Sequence, residues 1–473
     1  RVFCLSRGLG DVYKRQDITT VNPTTGEDIK EYNYMTNDEV NKIVDASHEA
    51  FLEWRKKSHE ERAKVIKSIG DTLVKYKEEL SKLMTEERGK LYNQSLSEVD
   101  LCIGICDYTA EKGVTALADD ERDIENMKKG IVTYQPIGVI YGMQPWNFPA
   151  YQVFRYAIAN LMAGNSVLLK HAANVTGSGL LIEKIFHESD LPNDLFRTIL
   201  IDHDQSEKLI GNDKVRGVTL TGSDGAGKIV GQQAAKVLKK VVLELGSNDA
   251  FIVLEDADLD LAVETCTQAR LINNGETCVA AKRFIVVDSL YDEFRDRIVE
   301  KFSNSKAGDP MDDSSDIGPL ARKDLQEKLH EQVEESVKKG ATISVGGKLP
   351  EGKGNFYPAT ILENVSEGQP AYDDELFGPV ASLIRAKDQD DAMRIANDSR
   401  YGLGGAIFSK DEDKAIRLAR EQFDTGMVYI NGYGLANPAL PFGGVKNSGH
   451  GREHGGFGIK EFVNIKGLHV HSN

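Results

Sequence analysis

The chain of 473 residues carries 74 acidic against 58 basic side chains, a formal charge of -16, which argues against nucleic acid or an anionic membrane as its main partner. With 40% hydrophobic and 28% charged residues it has a globular composition and the length for two or more domains, and no apolar run approaches the roughly 20 residues that span a bilayer. Five scattered cysteines, Cys4, Cys102, Cys106, Cys266 and Cys278, argue against a disulfide framework and fit a reducing cytoplasm.

Residues 1–16 do not read as part of a fold. Their apolar part is too short for a signal peptide, and they resemble translated adapter readthrough joined to an open reading frame, so they are expected to be a non-native extension; the alternative is a disordered native arm. The turn Val21-Asn-Pro-Thr-Thr-Gly26 separates two short extended runs. Thr36-Asn-Asp-Glu39 fits a capping box before apolar residues at helical spacing. Helical periodicity continues over 63–87 and 91–117, where Cys102 and Cys106 are expected in the core and no spacing suggests a metal site. Strands are predicted over 131–134 and 137–141, split by Pro136.

An alternation follows: strand 167–169, helix 176–188, strand 196–201, helix 205–210, strand 217–220, helix 226–238, then strands 241–243 and 251–253. Short apolar strands alternating with helices predict a parallel sheet covered on both faces. A second alternation runs from strand 284–287 through helices 291–302 and 323–339, strands 342–345 and 380–384, helix 390–397, strand 406–408 and helix 412–420. The end, 462–470, alternates like a strand able to pair with a sheet edge, in this subunit or another.

The chemistry centres on Asn273-Asn-Gly-Glu-Thr-Cys278. A helix-like segment ends there in a Gly-containing turn, and a thiol beside backbone N–H groups follows, which is where a reactive nucleophile would sit. Three other stretches accompany it: Pro145-Trp-Asn-Phe-Pro149, Thr221-Gly-Ser-Asp-Gly-Ala-Gly-Lys228 between a strand and a helix, and Glu244-Leu-Gly246 after a strand. The glycine spacing of the second is not the usual G-x-G-x-x-G and alone marks only a tight turn.

Together, in this order and spacing, these stretches resemble the aldehyde dehydrogenase superfamily. Glu375-Leu-Phe-Gly-Pro379, Pro441-Phe-Gly-Gly444 and Ser448-Gly-His-Gly-Arg-Glu453 add to the likeness, which covers nearly all of 17–473. The resemblance implies an α/β fold with two Rossmann-like parallel-sheet domains and a small β oligomerisation element. NAD(P) would bind to 17–113 and 136–245, catalysis would fall to 246–446, and oligomerisation to 114–135 with 459–473. It implies a cytoplasmic homodimer or homotetramer, with no metal, nucleic-acid or membrane partner.

The reaction it implies explains the residue types. An aldehyde has no leaving group except hydride, so the site needs a thiolate, an oxyanion site, a nicotinamide and a base for hydrolysis. Cys278 would attack, Asn147 and the Cys278 N–H would receive the oxyanion, and Glu244 would act as the base that activates Cys278 or the hydrolytic water. Trp146, Lys170, Ala173, Gly222, Ser223, Gly227, Leu245, Glu375 and Phe377 match cofactor-binding positions, with Ser223 at the pyrophosphate, Glu375 on the nicotinamide ribose and Phe377 beside the nicotinamide. Glu453 matches a proton path from the base; its alternative is an ion pair with Arg452.

Lys170 matches a lysine at the adenosine ribose. Three residues on, NAD-preferring members often carry Glu; here it is Ala173, which removes a carboxylate that would repel a 2′-phosphate. NADP is therefore expected to be accepted, with NAD also possible.

Arg155, eight residues after Asn147, matches an arginine that clamps the distal carboxylate of succinate semialdehyde, a role suited to a bidentate guanidinium; its alternative is an interdomain salt bridge. The resemblance is strongest to bacterial succinate-semialdehyde dehydrogenases. Departures are Ile272 where some members carry a second arginine, Ala436 where Ser is common, Glu276 where Gln is usual, and Ser247 where a second Gly is usual. Glu276 is expected to raise the thiol pKa if it points inward. The alternatives are a broad aliphatic or hydroxyaldehyde dehydrogenase, an acylating enzyme that hands its thioester to CoA, a cofactor-independent thioesterase or esterase, and an inactive binding homologue.

Overall fold

The computed structural model describes residues 18–471; the expectation for 1–16, and Cys4, lie outside them. The first helix, Asn37–Trp54, begins at the predicted box, with Thr36 and Glu39 bonding reciprocally. The next, His59–Arg88, starts four residues earlier than its apolar periodicity predicts, because Ser58 and Glu61 form a second capping box and satisfy the free N–H groups of an added turn. Tyr92–Ala116 packs against it. Cys102 and Cys106 are fully buried there.

A six-stranded sheet is ordered Gly449–His450, Lys240–Glu244, Val215–Thr221, Val139–Gln144, Ser166–His171, Phe196–Thr198. All neighbours are parallel except the first pair. Chain order runs outward from Val139–Gln144 in one direction, then restarts on its other side with Val215–Thr221. In an open parallel sheet the crevice at the carboxyl ends of two such strands is where ligands bind. The segments leaving those ends are 145–149 and 222–223.

Helix Tyr151–Ala163 is buried on nearly all sides, wedged between this sheet and the two long N-terminal helices. The predicted strand 196–201 is only Phe196–Thr198. The two strands flanking Pro136 are Lys129–Pro136 and Val139–Gln144 and belong to different sheets, the chain turning through Gly138 at φ +145°.

A seven-stranded sheet holds the later alternation, ordered Thr342–Val345, Thr360–Glu363, Val380–Ala386, Arg283–Val287, Ala250–Val253, Gly405–Phe408, Tyr429–Ile430. Only the Thr342–Val345 edge is antiparallel. The expected α/β fold with parallel sheets is thus present. The terminal strand Val463–Val470 pairs antiparallel along its length with Lys129–Pro136 of the same chain, which pairs in turn with Asp120–Arg122. Ile465 and Leu468 on it are exposed.

Candidate active site

The nucleophile turn is built from backbone that most residues avoid. Asn273, Asn274 and Gly275 lie consecutively in the left-handed region, at φ 56°, 57° and 74°. Asn tolerates this better than other side-chain-bearing residues, and each amide here is also anchored. Asn273 Nδ2 donates to Asn147 O at 2.9 Å and Glu276 O at 3.0 Å. Asn274 Nδ2 donates to Gly89 O at 3.0 Å and Pro319 O at 2.9 Å, while its Oδ1 accepts from Gly318 N at 2.8 Å. At Gly275 a side chain would strike the backbone of Gly378. Buried Arg270 closes the turn from below, donating to the carbonyls of Gly275 and Gly378. The turn is clamped by residues from many parts of the chain, and it delivers Cys278 partly exposed.

Asn147 stands against this turn. Its Nδ2 donates to Glu276 O at 3.1 Å and its Oδ1 has no partner among the described residues. Glu276 itself corrects an expectation. Its carboxylate is fully buried and turned to Arg88, at 2.8 Å, and accepts from Ala321 N at 3.2 Å. The acids that raise the Cys278 thiol are Glu375 and Asp249 instead. Burial is the larger cause and pushes the thiol up to about 11, against the pull of Lys282 and Arg155. The Glu276 carboxyl is raised to about 7 by burial, with Arg88 opposing.

Cys278 and Asn147 open into a cavity of about 460 Å³ whose other walls include Trp146, Ser223, Glu375 and Phe377. The rings of Trp146 and Phe377 meet edge-on, with centroids 5.7 Å apart. Gly222 and Leu245 also line it. Ser223 is the N-cap of helix Asp224–Lys236, its Oγ accepting from Ala226 N at 3.2 Å. The positive end of that helix therefore faces the cavity, as a pyrophosphate would require. Gly227 packs onto Leu245, where a side chain would not fit. Lys170 and Ala173 stand apart, at the end of Ser166–His171 and in the short turn Ala173–Val175. Burial lowers the Lys170 pKa, with Asp202 opposing. A groove from a helix N-terminus to a thiol, walled by aromatics and holding a carboxylate, fits a dinucleotide.

Glu244 ends its strand opposite Gly449 and Thr221. Its carbonyl accepts from Gly222 N at 3.0 Å. The carboxylate is buried without a hydrogen-bond partner among the described residues. Burial holds its pKa well above the usual carboxylate range; Arg155 opposes this and Glu453 adds to it. Glu453 pairs with Arg155, not with neighbouring Arg452, whose guanidinium donates to Gly444 O and Gly451 O.

Arg155 is thus engaged inside the protein. It is 2% exposed, donates to Thr221 Oγ1 at 3.0 Å, and lies over the rings of Tyr151 and Phe442. Its Nη1 nonetheless has no acceptor among the described residues.

A second cavity, of about 880 Å³, opens on the other side of the turn, lined by Gln94, Phe148, Leu271, Ile272, Leu435 and Ala436 among others. It collects helices far apart in sequence, a grouping no local motif announces. Arg88 and Asp249 also escaped the sequence reading, since neither belongs to a recognisable stretch.

The profile of the "Aldehyde dehydrogenase family" matches residues 12–468. The chain is 42% identical over 447 residues to a succinate-semialdehyde dehydrogenase [NADP(+)] of Deinococcus radiodurans, covering 94% of this chain and 93% of that one. It is 40% identical to a succinate semialdehyde dehydrogenase [NAD(P)+] of Escherichia coli, covering 94% and 96%. Among solved structures, the succinic semialdehyde dehydrogenase of Streptococcus pyogenes in complex with NADP+ superposes with a TM-score of 0.94 at 35% identity, covering 96% of this chain and all of that one (100%).

Proposed function

The chain belongs to the aldehyde dehydrogenase family, and on that premise we propose that it oxidises succinate semialdehyde to succinate with NADP as preferred acceptor and NAD as an alternative. The observation that carries the reading is that one cavity holds Cys278, Asn147, Ser223, Glu375 and Phe377 together.

Cys278 attacks the aldehyde carbon. The charge that develops on the carbonyl oxygen is met by Asn147 Nδ2 and the Cys278 N–H, donors already fixed by the clamped turn. The thiohemiacetal on Cys278 would lose hydride, for which a bound nicotinamide would supply the acceptor. Ser223 with its helix end would hold the pyrophosphate, Glu375 the nicotinamide ribose, and Trp146 with Phe377 the nicotinamide side, while Gly222, Gly227 and Leu245 would shape the groove. The thioester left on Cys278 is hydrolysed by water that Glu244 deprotonates. A buried carboxylate whose pKa is held above the usual range suits a base that takes and returns a proton, and Glu453 offers the next carboxylate on the way out. Glu244 also favours water over CoA as the acceptor of the acyl group.

For the substrate, the distal carboxylate is assigned to the unpartnered Nη1 of Arg155. The charge of Arg155 also acts on the Cys278 thiol, although the side chain lines a separate small cavity with Tyr108, Pro438 and His454, so the clamp requires substrate to reach it from the thiol side. Ile272 and Ala436 line the second cavity, which supplies apolar wall where other members add polar contacts. For the cofactor, Ala173 leaves room near Lys170 for a 2′-phosphate. The names of the Deinococcus and Streptococcus relatives support NADP. The two large units, about 17–113 with 136–245 and about 246–446, would bind cofactor and carry the nucleophile, with 114–135 and 459–473 as an oligomerisation element. The exposed terminal strand supports a homodimer or homotetramer.

Steady-state assays on succinate semialdehyde, butanal and a hydroxyaldehyde with each coenzyme test this reading. The expected result is the highest kcat/KM for succinate semialdehyde with NADP. Equal or higher values for butanal would replace it with a broad aliphatic activity.

A further inference from the structure

One departure in the sequence, Ser247, meets a buried lysine in space. Ser247, where the family usually has glycine, and Lys282, just before strand Arg283–Val287, lie beneath the nucleophile turn. The Lys282 ammonium is 2% exposed and donates to Ser247 Oγ at 2.9 Å, to Thr277 O at 3.1 Å and to the carbonyl of Cys278. The Ser247 hydroxyl donates to that same Cys278 carbonyl. Lys282 also pairs with Glu375 Oε1 at 3.0 Å, which accepts from Ser247 N at 3.1 Å. The ammonium is therefore shared between the nucleophile's backbone and the carboxylate assigned to the cofactor ribose.

We propose that Lys282 is a positioning residue that makes the reactivity of the Cys278 thiol depend on whether the cofactor ribose occupies Glu375. The inference rests on the reading that Glu375 faces that ribose. While Glu375 pairs with Lys282, their opposite charges offset one another at the thiol. Hydrogen bonds from ribose hydroxyls spread the carboxylate charge and loosen the pair. The ammonium keeps its hydrogen bonds to Ser247 Oγ and the carbonyls of Thr277 and Cys278, with Asp249 the carboxylate that still faces it, so with Glu375 taken a larger net positive field acts on the thiol and favours the thiolate. Ser247 supplies what glycine cannot, a hydroxyl that keeps the ammonium on the Cys278 side when Glu375 is taken.

The other groups facing Cys278 come from separate elements. They are Arg155 on helix Tyr151–Ala163, Asp249 before strand Ala250–Val253, Glu375 itself, and the phenols of Tyr151, Tyr429 and Tyr433. Lys282 is the strongest of the cations that lower the thiol pKa, and the only one of them that also contacts Glu375.

The test is the rate of Cys278 alkylation by iodoacetamide across pH, with the full chain, without and with saturating NADP+. In the wild-type protein NADP+ is expected to move the thiol titration to lower pH. Lys282→Met should move the cofactor-free titration up by about one unit, slowing alkylation roughly tenfold below the midpoint, and should abolish the NADP+-driven shift. Lys282→Arg, which keeps the charge, should restore both. A Lys282→Met protein with the wild-type profile and the wild-type shift overturns the proposal. If that variant does not fold, Ser247→Gly serves: a smaller NADP+-driven shift supports the proposal, and an unchanged one overturns it. Wild-type protein that binds NADP+ without any shift also overturns it. Wild-type protein that binds no NADP+ counts instead against the assigned function, and the cofactor-free profile of Lys282→Met still judges the charge of Lys282.

Discussion

The cavities on either side of the Asn273–Cys278 turn are built by opposite rules. The cofactor-side cavity draws on strand ends and a helix N-terminus, where the chain returns to one crevice by topology. Its groups with assigned chemistry sit in short stretches at strand ends and turns, and the side of helix Lys323–Lys338 completes the wall. The other cavity is lined by side faces of helices from 90–101 and 264–273 and by a loop at 435–436. What lies there depends on how distant helices pack. The groups assigned to the reaction are placed by local geometry, and the apolar wall proposed for the substrate by tertiary juxtaposition.

The largest effect should come from the turn that both cavities share. Cys278→Ala is expected to lower kcat by on the order of ten-thousand-fold or more while NADP binding, measured by calorimetry, stays within a few-fold of wild type. Substantial residual turnover would remove the nucleophile assignment. Next is the oxyanion donor: Asn147→Ala should lower kcat by about a hundredfold to a thousandfold with succinate semialdehyde and butanal alike, because the developing charge is common to both.

Arg155→Ala sharpens the contrast, since it should separate the two substrates. For succinate semialdehyde kcat/KM should fall about tenfold or more beyond the loss for butanal. Equal losses would assign Arg155 to the Glu453 pair alone.

The smallest effect concerns Glu276, which belongs to the turn's scaffold. Its carboxyl is raised in the fold to about 7, so between the ordinary carboxylate range and pH 7 the folded state holds a proton that the unfolded chain releases. Stability from this group is full at low pH and is lost as pH rises through that window, by at most about 1.4 kcal/mol per pH unit. Glu276→Gln should flatten the dependence of Tm on pH there; an unchanged slope would show that Arg88 keeps Glu276 ionised throughout.

How far the sequence could be read follows the same division. The alternation of strands and helices was legible because each strand is a short buried run and each helix has a cap or a stripe, as at Thr36 and Ser223. Helix starts set by capping instead of periodicity, as at Ser58, were placed too late. The thiol on a tight turn was visible, but its three left-handed residues were not, because the clamps on Asn273 and Asn274 come from Asn147, Gly89 and Pro319. In the sequence Glu276 stands only as a charge two residues from the thiol. Its partner Arg88, 188 positions away in the numbering, turns it elsewhere, and no local pattern encodes that pairing.

The most direct test is a single turnover of Glu244→Gln with succinate semialdehyde and NADP+, quenched in acid and read by peptide mass spectrometry. A succinyl group is expected on the Cys278 peptide together with about one equivalent of NADPH per site, because oxidation proceeds and hydrolysis stalls. NADPH formed at the wild-type steady rate with no acyl group on Cys278 would contradict it.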